Sequence, residues 1–286
     1  MTMRVGSSAT NFGHKVGKIS VETESWNRIL KTGTVKVGYA NERPFAFKTN
    51  GGSPIQGESW DIADWVLRTI GIQRIEPVLT DFWSLIPQLK NGAYDLIAAG
   101  FYITPIRFRD INFSFPTYQN KEGLVVAKGN PLHLKTFADI IRHPFAKIAV
   151  LFGSATASHI RLYHLPPSRV IQFTSTAEAL LGLANQEADL FLTSSISLHN
   201  ALENSPHPTI ELVPEFPGFI VNGHPMVDYG AFGFRKDDHE FRNRFNAALH
   251  PFIGSDEHLK RVAPYGFCRL DVPQQLPIEI LNMVTV

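Results

Sequence analysis

The stretch "FWSLIPQLKNGAYDLIAAGFYITPIRFRD", residues 82–110, decides how the whole chain is read. Its first part, "FWSLIPQLKNG", has the apolar spacing of a short helix and stops at Asn91-Gly92. "YDLIAAG" then reads as a buried strand, and two aromatics, Phe101 and Tyr102, follow its small residues. Thr104-Pro105, Arg107 and Arg109 come directly after. One reading is a strand, a turn and a solvated helix start, with Arg107 pairing on the surface with nearby Asp110. The other is an anion clamp at the mouth of a cleft. Pro105 suits the first turn of a helix, which leaves Thr104 to cap it and, with the free N–H groups of that turn, to join the anion site.

Working outward, "RIEPVLT" and "TVKVGYA" (34–40) read as strands, and "DIADWVLRTIG" (61–71) as a helix. That helix carries Ile62, Trp65, Val66 and Ile70 on one face. "SWNRILKTG" predicts a helix closed by Gly33, and Asn50-Gly51-Gly52 marks a turn. The β-α-β-α-β order predicts a parallel sheet with helical crossovers. The second half repeats the theme through "GLVVAKG", "FADIIRH", "KIAVLFG", "ATASHIRLYH", "VIQFT", "STAEALLGLANQE" and "ADLFLTS". "YGAFGFRK" (229–236) adds a strand, followed by a helix on Phe241, Phe245, Ala248, Leu249 and Phe252. The expected architecture has a polar tail at 1–24 and one lobe from 25–120 with 228–286. A second lobe spans 121–227, and strand-like hinge crossings lie near 115–126 and 213–232. Ligands of open α/β sheets sit beyond the carboxyl ends of the strands. That singles out Asn41-Glu42, Gly100–Arg107, Gly153–Thr156 and Thr193–Ser195.

Composition narrows the function. At 286 residues the chain has the length of about two domains. Its 27 lysines and arginines nearly balance 26 aspartates and glutamates, so no basic field points to nucleic acid. The 11 histidines fall in no recognised metal spacing, so neither structural zinc nor any cofactor is expected. Cys268 stands alone, which rules out an intrachain disulfide. No apolar run reaches the roughly 18 residues of a membrane helix. The first 20 residues lack the apolar core and cleavage site of a secretory signal.

Five segments carry a family resemblance: "GYANERPFAF", "SLIPQLKNGAYDLIAAG", "ITPIRFRDINFSFPTY", "ALLGLANQEADLFLTS" and "YGAFGFRKDD". In this order, over about residues 30 to 270, the chain resembles the type II solute-binding proteins of ABC importers, in the amino-acid-binding branch. With "FRNRFNAALHPFIGSDEHLKRVAPYGF" added, it is most similar to the ectoine- and hydroxyectoine-binding subfamily. The resemblance implies a two-lobed α/β fold of the periplasmic-binding-protein type, each lobe a mostly parallel sheet flanked by helices. It also implies a small zwitterionic ligand, ABC permease subunits as partners, a monomer, and an extracytoplasmic or periplasmic location. Arg107 takes the place of the arginine that grips the ligand carboxylate, a task suited to a guanidinium fork.

One departure is informative. Relatives that bind α-amino acids carry an aspartate five residues beyond the position of Asp189, where this chain has Ser194. A hydroxyl cannot neutralise a primary ammonium in a dry cleft, so an ordinary α-amino acid is disfavoured. A delocalised cation such as the amidinium of ectoine calls instead for aromatic faces. Phe45, Phe82 and Tyr102 follow three separate strands and can form that box, although each also suits a core, and Trp83 competes with Phe82. Glu42 would supply the one formal negative charge. Ser154, in "LFGSATAS", either offers a second carboxylate-binding helix start or simply caps a turn. Besides a binding protein, two other functions fit the same fold: a cyclohexadienyl-dehydratase-like enzyme using Glu42 as its acid, and the ligand-sensing domain of a receptor.

Overall fold

The computed structural model of the chain describes residues 22–49 and 52–285. The expected polar tail lies outside them except for residues 22–24, which open the helix Glu22–Thr32, and the turn at Asn50-Gly51 lies outside them too. Among the described residues no helix is long and apolar enough to cross a membrane.

The chain first lays down β1 (Thr34–Tyr39), β2 (Arg74–Leu79), β3 (Leu96–Tyr102), β4 (Ile111–Phe113) and β5 (Tyr118–Asn120). It then crosses to a second sheet of β6 (Glu122–Ala127), β7 (Ile148–Leu151), β8 (Val170–Phe173), β9 (Leu190–Ser194) and β10 (Ile210–Leu212). A two-stranded hairpin of β11 (Ile220–Val221) and β12 (His224–Pro225) precedes β13 (Asp228–Arg235), which returns to the first sheet. The strand orders are β2-β1-β3-β13-β4, with β5 beside β13, and β10-β6-β9-β7-β8.

The sheets are mixed, which corrects the expectation of mostly parallel ones. β1 lies parallel to β2 and β3, and β7 parallel to β8 and β9. β13 runs antiparallel to β3, β4 and β5, and β6 antiparallel to β9 and β10. Direction follows from the crossings. β3 and β9 end at the cleft, with Tyr102 opposite Gly230 and Ser194 opposite Glu122. β6 and β13 begin there, because the chain has just come from the other sheet, so they must run the opposite way.

Both faces of each sheet are covered. In β3, Leu96 and Ala98 face the cluster of Phe232, Phe234, Phe241 and Phe245, while Ile97, Ala99 and Phe101 face Leu85, Leu89 and Phe113. The period-2 alternation thus sends two apolar sets to two cores, which is why "LIAA" reads as an unbroken apolar run. In the second sheet Leu190 and Leu192 face one core and Phe191 the other. The helix expected over 61–71 starts earlier, spanning Glu58–Thr69.

That early start has a cause. Glu58 is buried and accepts hydrogen bonds from Thr117 Oγ1 (2.6 Å) and Ser59 Oγ (2.7 Å). Ser59 Oγ in turn accepts from the Gly100 N–H (3.0 Å). The helix start is thereby tied to the approach of the first crossing and to the bend in β3. Burial pushes the Glu58 carboxyl up to about 7 from an ordinary 4.5. The folded chain therefore holds a proton that the unfolded chain releases. The resulting stability is full below about pH 4.5 and is lost as pH rises towards 7. Urea unfolding at roughly pH 5 and pH 8 should show about 2–3 kcal/mol less pH dependence in Glu58→Gln than in the parent. Equal pH dependence would mean that Glu58 is already ionised in the fold.

Candidate functional site

A cleft, partly open to solvent, lies where the carboxyl ends of strands from both sheets meet. Residues following β1 (Glu42, Arg43, Phe45), β2 (Phe82), β7 (Ser154, Ala155, Thr156) and β8 (Thr176) line it. Gly100 and Tyr102 in β3, Arg107 beyond that strand, and Thr193 and Ser194 at the end of β9 complete most of the wall.

Arg107 sits on the short helix Pro105–Asp110, whose start is organised as the sequence indicates. Pro105 occupies the first turn and Thr104 Oγ1 accepts the Arg107 N–H at 3.2 Å. Thr104 stops there: it caps the helix and does not line the cleft. The Arg107 side chain is buried, and its Nη1 donates to the Tyr102 carbonyl at 2.9 Å. Its Nη2 reaches across to the Gly153 carbonyl in the second lobe at 3.0 Å. The guanidinium lies 3.8 Å from the Phe101 ring centroid and 5.6 Å from that of Phe82. Burial lowers its pKa to about 10, with Asp228 opposing the shift, so it remains a cation at neutral pH. Asp110, the partner in the surface reading, bonds to Lys90 instead.

The aromatic wall is packed from behind. Phe45 stacks on Tyr118 with centroids 5.4 Å apart, and Tyr102 lies 6.0 Å from the same ring. Tyr102 Oη accepts a hydrogen bond from Asn120 Nδ2 at 3.0 Å. Phe82 packs 5.4 Å from Phe101 and faces the cleft, whereas Trp83 faces away, onto Phe152 of the second lobe at 6.0 Å. That settles which of the two neighbours lines the cavity.

The second lobe contributes helix starts. Ser154 Oγ accepts from Ala157 N at 3.1 Å and Ser194 Oγ from Ser197 N at 3.2 Å, so both cap helices while lining the cleft. Ser194 Oγ also lies 2.5 Å from Ser197 Oγ. Opposite, Glu42 Oε1 accepts the Thr176 N–H at 3.3 Å, at the start of the helix Thr176–Ala184. Burial between the lobes pushes Glu42 up to about 7, and the Thr176 hydrogen bonds oppose this. Among the described lining residues Glu42 is the sole carboxylate, and Arg43 and Arg107 are the cations that share the lining. The sequence reading missed Thr176 and Arg43. Thr176 carried a usable signal, since it follows the strand "VIQFT" as the other post-strand segments follow theirs.

The chain matches the family model described as bacterial extracellular solute-binding proteins, family 3, over residues 35–265. It belongs to that family. It is 30% identical over 237 residues to the "Probable amino-acid ABC transporter periplasmic-binding protein" of Sinorhizobium fredii, covering 82% of this chain and 77% of that one. The crystal structure of EhuB in complex with hydroxyectoine superposes with a TM-score of 0.76 at 27% identity, covering 87% of this chain and 93% of EhuB. An ancestral amino-acid-binding protein, a precursor of cyclohexadienyl dehydratase, superposes at 0.72 with 26% identity, covering 84% of this chain and 98% of its own. The two-lobed α/β architecture is therefore that of the periplasmic binding proteins.

Gly100 is the backbone position on which the aromatic wall depends. Its φ is +60°, and a Cβ there would come within 2.3 Å of the Phe45 ring. Gly100→Ala should cost about 1–3 kcal/mol from overpacking alone, with the left-handed backbone adding to it. The urea midpoint should fall with little change in slope. An unchanged midpoint would show that Phe45 does not rest on this glycine.

Proposed function

We propose that this protein is the solute receptor of an ABC import system on the extracytoplasmic side, closing its two lobes over a small zwitterion. Arg107 grips the carboxylate of the solute. Phe45, Phe82 and Tyr102 face its delocalised cation, Glu42 supplies the balancing charge, and Ser154 and Ser194 add polar contacts from the second lobe. The substrate class is ectoine, hydroxyectoine or a related amino-acid derivative, and the protein works as a monomer that delivers its solute to the permease subunits. It does so as a binding protein and not as an enzyme.

One observation carries this reading: a buried guanidinium at the cleft wall whose hydrogen bonds go to two carbonyls, leaving three of its five N–H groups for a ligand. The aromatic lining and Ser194 at the end of β9 support a delocalised cation over a primary ammonium. Family membership and the likeness to EhuB in complex with hydroxyectoine support the same class.

Two outcomes are expected. By calorimetry, Arg107→Ala should weaken ectoine binding by about 2–5 kcal/mol, some thirtyfold to several thousandfold. Arg107→Lys should recover little of it, because an ammonium lacks the planar fork. In a thermal-shift series at equal concentration, ectoine and hydroxyectoine should stabilise the protein more than glutamine, histidine or arginine. At a hundredfold excess over Kd the gain is about 2.7 kcal/mol. A standard α-amino acid giving the largest shift would overturn the substrate class, and unchanged affinity in Arg107→Ala would overturn the clamp.

A further inference from the structure

Behind the floor of the cleft, three ionisable side chains from three separate elements converge. Glu122 is the first residue of β6 and Asp228 the first of β13, so each stands where the chain has just crossed between the sheets. His159 comes from the helix Ala155–Arg161, whose start lines the cleft. His159 Nδ1 lies 3.9 Å from Glu122 Oε1, and its Nε2 lies 3.8 Å from Asp228 Oδ1. Both separations exceed hydrogen-bond reach. One donor atom from each residue falls within 4.8 Å of the others.

The cluster is under-satisfied as it stands. Glu122 is only 3% exposed, and its Oε1 accepts from Thr156 Oγ1 at 2.8 Å. Its Oε2 and His159 Nδ1 are sealed from solvent with no hydrogen-bond partner among the described residues. A buried polar atom left without a partner costs about 1–3 kcal/mol, more for a charged group. The cation acting on Asp228 is Arg107, whose own hydrogen bonds go to the Tyr102 and Gly153 carbonyls.

We propose that Glu122, His159 and Asp228 form a binding site for a divalent first-row metal ion of the zinc type. Two carboxylate oxygens and one imidazole nitrogen make a mixed N/O set, which suits zinc better than the all-oxygen preference of calcium and magnesium. Zinc bonds of about 2.0–2.2 Å place tetrahedral ligands roughly 3.4 Å apart. Bringing one oxygen of each carboxylate and a single imidazole nitrogen from within 4.8 Å of one another to that spacing is a side-chain adjustment. A bound ion would tie both crossings to the second-lobe helix and so hold the lobes in this arrangement. None of the three residues lines the cleft, and a zinc titration run without solute is read independently of solute binding. Metal motifs in the sequence could not reveal it, because positions 122, 159 and 228 share no local spacing.

The test is calorimetric titration of the chelator-treated chain with zinc chloride, alongside Glu122→Gln, His159→Gln and Asp228→Asn. Zinc should saturate the parent at a single tight ion per chain. Each substitution should cost more than the roughly 10- to 100-fold that follows loss of an outer hydrogen-bond partner. Weak binding to surface histidines should be common to all four proteins. Cobalt(II) added to the unmutated chain should acquire a ligand-field absorption distinct from the aqueous ion, a readout that needs no variant to fold. Zinc affinity unchanged by all three substitutions, or a cobalt spectrum identical to that of the free ion, would overturn the site.

Discussion

Everything at the centre of this molecule is arranged around one buried cation. The Arg107 guanidinium is nearly withdrawn from water and has no salt-bridge partner among the described residues that touches it. An isolated charge so placed would be costly. Four features offset that cost: the charge of Asp228, the carbonyl of its own strand end, the carbonyl of Gly153 in the facing lobe, and the Phe101 ring against its plane. Because one of those carbonyls belongs to the other lobe, the position of the arginine and the meeting of the lobes are one structural fact. Glu42 on Thr176 N and Trp83 against Phe152 are further contacts across the same gap.

The charge pattern of the cleft then sets what can enter it. A carboxylate finds the guanidinium and the starts of helices capped by Ser154 and Ser194. A cation finds aromatic faces and a single carboxylate that burial has pushed up to about 7. The other buried acids, Glu58, Glu122 and Asp228, stand behind the wall: Glu58 accepts from Thr117, Glu122 from Thr156, and Asp228 lies near His159. None of them lines the cleft, where the charged side chains are Glu42, Arg43 and Arg107.

Much of this was legible in the sequence, for identifiable reasons. The strands of "TVKVGYA", "YDLIAAG" and "ADLFLTS" announce themselves by apolar runs, and the rule that ligands gather beyond strand ends located Glu42, Tyr102, Arg107, Ser154 and Ser194 before any coordinates. Thr104-Pro105 was readable as a capped helix start, but its failure to reach the cleft was not, since Ser154 and Ser194 cap helices in the same way and do line it. Strand direction at the crossings was not legible, since β6 and β13 look like any other apolar strand until the cleft fixes where each begins. Nor could residue spacing separate Phe82 from Trp83, adjacent positions in one 3-10 turn of which Phe82 lines the cleft and Trp83 packs on Phe152. The grouping of Glu122, His159 and Asp228 exists only in three dimensions.

The central claim is that a zwitterion held by Arg107 draws the two lobes together. Small-angle scattering with and without saturating ectoine tests it most directly, because a ligand shifts an open–closed equilibrium only by binding one state better. The radius of gyration should fall in the parent protein and stay constant in Arg107→Ala at the same ectoine concentration. Tight binding of ectoine with an unchanged scattering profile would contradict the account and point to a preformed site.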